Sequence, residues 1–100
     1  MSLLVKGLTI GLCMLSFSSA VEIWTDDMTD QEKCQAEADY MAENYAYYHV
    51  YKCIGNFEGI GYGGSHPNIS TCTPSYKMTL TGDASAQSPN GKWVRVRSWR

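Results

Sequence analysis

The last quarter of the chain constrains the fold most, because its residues alternate. Tyr76, Met78 and Leu80 alternate with Lys77, Thr79 and Thr81, Ser88-Pro89-Asn90-Gly91 carries turn chemistry, and Trp93 to Trp99 alternates again. Two runs of period two around such a turn predict a β-hairpin. Val94 and Val96 are expected to join Tyr76, Met78 and Leu80 against the core. That places Trp93, Arg95, Arg97 and Trp99 together on the opposite face. Asp83 to Gln87 either extends the first strand or loosens into a wider loop.

A helix is predicted upstream. Thr29 followed by Glu32 has capping-box spacing, and Cys34, Ala38, Met41, Tyr45 and Tyr48 then fall at steps of four and three to make one apolar stripe. Glu37, Glu43 and Asn44 are read as lying off that stripe, and the helix as running from about residue 30 to about residue 50. Asn56 to Gly63 suits a strand, with Glu58, Ile60 and Tyr62 on one side and glycines 59, 61 and 63 on the other. A strand face lined by glycine admits a close neighbour. The helix is the commoner occupant of such a face, and a ligand is the alternative. The fold class is therefore α+β: one long N-terminal helix packed on a small, about three-stranded antiparallel sheet that ends in a C-terminal hairpin and is stapled by a disulfide.

Residues 1–20 read as a signal peptide. Lys6 precedes the apolar run Gly7 to Phe17, and Ser18 and Ala20 supply small residues for cleavage. The run is well short of the roughly 20 residues of a membrane span, so no stable span is expected after cleavage. Residues 21–100 then form a single small secreted domain with a flexible lead-in over 21–28. Localisation is secreted or periplasmic.

Cleavage removes Cys13 and leaves three cysteines, Cys34, Cys53 and Cys72. In an oxidising compartment one disulfide and one spare thiol are expected. A continuous helix holds Cys34 and Cys53 too far apart to bridge. A strand running back along that helix brings the next connector toward Cys34, which favours Cys34 with Cys72 over Cys53 with Cys72.

Charge is segregated along the chain. Eight acids lie between Glu22 and Glu43 against Lys33 alone, whereas Lys52, Lys77, Lys92, Arg95, Arg97 and Arg100 face only Glu58 and Asp83. An acidic helix beside a basic hairpin accounts for this, and so does a basic end that attracts an anionic partner. The Trp93, Arg95, Arg97, Trp99 ladder has two readings as well. It is a contact surface that stacks on sugars, bases or acidic groups, or a self-satisfied cross-strand ladder, with Glu58 available to pair one arginine.

Other motifs carry less. Gly59 to Gly64 matches G-x-G-x-x-G but is followed by Ser65-His66-Pro67 rather than a helix. His49 and Cys53 stand four apart, and with His66 or Cys72 they have metal-ligand spacing, but no carboxylate-rich or paired-cysteine framework supports a site. No cofactor or metal is expected. No third group orients a Cys/His nucleophile, so no enzyme is expected. Asn68-Ile69-Ser70 is a glycosylation sequon. The seven tyrosines serve either a core or an interface, with the core favoured.

Met41-Ala42 with His49 downstream, Phe57 to Gly63, Thr71-Cys72 and the terminal Asn90-Gly91-Lys92-Trp93 resemble small exported bacterial proteins of planctomycete type. The resemblance implies an exported α+β domain of unknown role and brings no catalytic residue. Those relatives often carry a cysteine pair where Cys72 stands alone here. The functional expectation is a small exported non-enzymatic binding or interaction module, monomeric or weakly dimeric. Its contact surface is Trp93, Arg95, Arg97 and Trp99, and its partner an extracytoplasmic protein, glycan or anionic ligand. Nucleic acid is disfavoured. The alternative is a structural or envelope-associated protein that assembles through its spare cysteine; a small enzyme or inhibitor comes third.

Overall fold

The computed structural model describes residues 21–100. The expected signal peptide, residues 1–20, lies outside the described residues.

Helix α1 runs Asp30–Asn44, and its start is set by the capping box. The Glu32 amide donates to Thr29 Oγ1 at 3.1 Å, and the Thr29 amide donates to Glu32 Oε1 at 2.8 Å. The helix is shorter than its periodicity predicts. Tyr45 enters the left-handed region at φ 52° and the Ala46 amide returns to the Met41 carbonyl, so the chain reverses. Beyond Met41 the apolar residues Ala46, Tyr47, Val50, Tyr51 and Ile54 pack from a loop rather than from a helix.

Three strands follow: β1 Phe57–Gly64, β2 Leu80–Gln87 and β3 Trp93–Trp99. The sheet order is β1-β3-β2 with both pairings antiparallel. The hairpin is present, but its first strand lies later than expected. The Gly91 amide bonds the Ser88 carbonyl and the Ser88 amide bonds the Lys92 carbonyl, which fixes Gln87 opposite Trp93. Counted back from there, Val96 faces Ala84 and Val94 faces Ala86. Small alanines, not Tyr76, Met78 and Leu80, therefore sit beside the two valines under the helix. Tyr76 and Leu80 are exposed.

One face of the sheet carries the core. Cys34, Ala38, Met41 and Ala42 of α1 cover Ala84, Val94 and Val96, with Trp24 and Ile54 closing the ends. The close approach of helix to sheet falls on β2: a Cβ at Gly82 would stand 2.7 Å from Cys34 Sγ and from Ser98 Oγ. Residues 21–28 have no regular secondary structure, yet the segment is docked. Trp24 is 4% exposed, meets the Tyr51 ring edge-on at 5.0 Å, and has Lys33 Nζ 4.3 Å from its centroid.

The other face is covered by the connector between β1 and β2. A Cβ at Gly59 would overlap the Cys72 carbonyl oxygen, and one at Gly61 would overlap that of Ser70. The glycine-lined side of β1 therefore admits the chain's own backbone, and neither the helix nor an outside ligand occupies it.

This path corrects the disulfide expectation. Cys34, Cys53 and Cys72 are all free thiols. Cys34 is buried beneath the helix, its thiol donating to Ser98 Oγ at 3.5 Å, while Cys72 lies against Gly59 on the far side of the sheet. The sheet stands between Cys34 and Cys72, because the connector returns under the strands instead of over the helix. The Cys53–Cys72 alternative is not formed either.

Candidate functional site

The Trp93–Trp99 ladder is placed on one face as its alternation requires, but its cations are engaged within the chain. Arg95 Nε and Nη2 donate to the two carboxylate oxygens of Asp83 at 2.8 and 2.7 Å, and its Nη1 donates to the Ile69 carbonyl at 3.0 Å. This bidentate bond holds the Asp83 carboxyl below its ordinary range and raises Arg95. Arg97 Nε donates to Thr71 Oγ1 at 2.9 Å, and its guanidinium stands 5.1 Å from the Trp99 ring centroid. Trp99 is buried and meets Phe57 edge-on at 5.6 Å. Glu58 pairs with none of these arginines, because its side chain lies on the opposite face of the sheet.

The connector that satisfies the ladder also carries the sequon. Asn68 is exposed on it, while the Ile69 side chain lies where a Cβ of Gly64 would be. The Pro67 carbonyl accepts from Ser85 Oγ at 2.7 Å, which ties the segment to β2.

Tyr47 and Tyr51 pack half-buried against the core, and the other tyrosines lie nearer the surface. None of the seven is buried. Tyr47 stacks on Tyr62 with centroids 5.0 Å apart and planes 10° apart, and Tyr45 meets Tyr47 edge-on at 6.3 Å. The hydroxyl of Ser88 donates to the Ala42 carbonyl at 2.8 Å, which leaves its oxygen to accept from Tyr47 Oη, also at 2.8 Å. The inner ring of the stack is thereby fixed to the helix end and the hairpin turn. Tyr45, Tyr48 and Tyr62 stay 47%, 62% and 55% exposed. Tyr45 is also the one non-glycine residue with positive φ among the described residues, a conformation that costs a bulky L-residue about 1–2 kcal/mol.

A pair of carboxyl groups is buried on the helix face, and sequence reasoning missed it. Glu37 is fully buried and Glu58 nearly so. Glu37 Oε2 accepts from the Trp24 indole Nε1 at 2.6 Å, and Glu58 Oε1 accepts from the Ile54 amide at 3.1 Å. His49 Nδ1 lies 3.7 Å from Glu58 Oε2, with the imidazole largely in solvent. Burial is the largest cause raising both carboxyls; with the neighbouring Glu58 adding to it Glu37 is raised to about 9, while Glu37 acts in turn to lower Glu58. Glu37 is therefore the protonated member of the pair. The signal was present in the sequence. Positions 34, 37, 38 and 41 are spaced i, i+3, i+4 and i+7, so Glu37 lies within the apolar stripe.

The thiols and histidines assemble nothing comparable. His49 and Cys53 lie beyond the end of α1, and no group of three or more metal-ligating side chains is found among the described residues. Burial raises the Cys34 thiol to about 11, which leaves it inert. An open cleft between the C-terminal half of α1 and the hairpin turn is lined by Asp39, Ala42, Glu43, Ala86, Gln87 and Pro89. No helix among the described residues is long and apolar enough to cross a membrane. No family model matches the chain, and no curated protein and no solved structure matches it.

Proposed function

We propose that the protein is a small exported, non-enzymatic binding module whose contact surface is the tyrosine cluster at the C-terminal end of α1. The observation that carries this reading is the Tyr47–Tyr62 stack. Its inner ring is anchored through Ser88, and Tyr62, Tyr45 and Tyr48 present their rings to solvent. Rigid, amphipathic tyrosines offer large contact area at low entropic cost. The Trp93–Trp99 face is not the proposed surface, since Asp83, Ile69 and Thr71 already take its arginines. The partner is accordingly an extracytoplasmic protein or a glycan rather than an anionic ligand. The buried carboxyl pair is out of reach of any substrate, which favours binding over catalysis.

The test compares two faces of one molecule. Mature protein and the variants Tyr62→Ser, Tyr48→Ser and Arg97→Ser are titrated against envelope polysaccharide and against partners recovered from the extracytoplasmic fraction. Tyr62→Ser is expected to weaken binding at least tenfold and Arg97→Ser to leave it unchanged; the reverse pattern sinks the reading. A second reading, covalent assembly through a cysteine, is favoured by the exposure of both Cys53 and Cys72. Mass spectrometry without reductant separates the two, since only the second predicts disulfide-linked dimers.

A further inference from the structure

We propose that Glu37 and Glu58 share one proton and form a pH-operated latch, closed while the proton is held, that fastens the Trp24 segment and the 45–56 loop to the helix–sheet core. The geometry leaves little choice. Glu37 Oε1 and Glu58 Oε2 are buried and have no hydrogen-bond partner among the described residues, while the remaining oxygen of each accepts from an N–H group. Four carboxyl oxygens thus meet two external donors. A single proton between the two orphan oxygens satisfies both, and a second ionisation would place two negative charges side by side out of water.

The two N–H donors belong to the segments that are latched. Trp24 is the anchor of residues 21–28, and Ile54 is the last core residue of the loop between α1 and β1. Trp24 and Tyr51 also pack on each other, so the two segments close over the pair together. Other titratable and charged groups near this site are Lys33 and Cys34 on α1 and His49, Tyr51, Lys52 and Cys53 on the loop. Neighbouring β3 residues are Ser98 opposite Glu58 and Val96 opposite Ile60, and β2 turns Gly82, Ala84 and Ala86 toward the helix, so neither strand adds a charge. His49 Nδ1 stands 3.7 Å from Glu58 Oε2 with its imidazole largely in solvent, and Cys53 is exposed beside it.

Loss of the shared proton leaves the carboxylates to repel, and the cheapest relief is for water to enter as the two segments lift. The open population of a one-proton latch rises about tenfold per pH unit while the closed form still holds the proton. The direct probe is the Trp24 indole N–H resonance, assigned with Trp24→Phe and followed by NMR from pH 4 to 10. It is expected to shift in a single step centred well above the ordinary carboxylate range, with tyrosine and tryptophan resonances of both segments broadening in the same step. Glu37→Gln keeps a donor toward Glu58 and an acceptor for Trp24 but cannot ionise, so it should abolish the step; His49→Gln should keep it. A resonance that is flat across the range, one that moves near pH 4, or a step that survives Glu37→Gln or vanishes with His49→Gln overturns the latch. The wild-type titration decides the matter even if a variant fails to fold.

Discussion

The two faces of this sheet are closed by different chemistry. On the helix side, alternate residues of the strands meet side chains, namely Met41, Ala38, Ala42 and Cys34 over Val94, Val96 and Ala84. On the connector side the same strands meet a backbone: glycines 59 and 61 make room, and Arg95, Arg97 and Ser85 bind Ile69, Thr71 and Pro67. One face is held by apolar area and the other by hydrogen bonds. The arginines that look like a binding surface in the sequence are the fastening of a strap.

The largest effect is expected on the helix side. Met41 is fully buried at the centre of the core, and Met41→Ala should lower unfolding free energy by about 2–5 kcal/mol, measured by urea denaturation. Next comes Gly61→Val. Its side chain would collide with the Ser70 backbone, which cannot rotate away as a side-chain tip can. A loss of about 1–3 kcal/mol is expected, with protease cleavage appearing inside residues 65–79 before the rest of the chain unfolds. If Gly61→Val is silent, the strap is not packed on β1. Arg95→Met is the smallest of the three. It removes the Asp83 pair and the Ile69 contact while leaving Asp83 partly hydrated, so about 1–2 kcal/mol is expected. An effect as large as that of Met41→Ala would mean the two faces are held alike.

The same contrast explains what could be read from the sequence. The capping box at Thr29 and Glu32, the strand from 57 and the turn at Ser88–Gly91 are local signals, and each is found in place. Long-range partners were not legible. The apolar spacing through Tyr45 and Tyr48 suggests a longer helix, but the tyrosine at 45 turns left-handed and its neighbours are used by a loop. The glycines of β1 announced a close neighbour without naming it, because a backbone strap leaves no hydrophobic pattern of its own. Glu37 reads as off the stripe although its spacing lies inside it; burial keeps it a neutral carboxylic acid there, with the Trp24 indole donating to it.

The two faces also titrate in opposite directions. On the strap side, Arg95 lowers the Asp83 carboxyl from 3.8, so that contribution is complete above 3.8 and is lost as pH falls through the folded value. On the helix side, Glu37 is raised from 4.5 to about 9, so its contribution is complete below 4.5 and is lost as pH climbs toward 9. Urea unfolding of the wild-type protein from pH 3 to 10 tests the account most directly. It predicts greatest stability near pH 4–5 and a decline on the alkaline side with a slope of up to about 1.4 kcal/mol per pH unit, removed by Glu37→Gln. A stability that instead rises from pH 4 to a plateau held through pH 9 contradicts it.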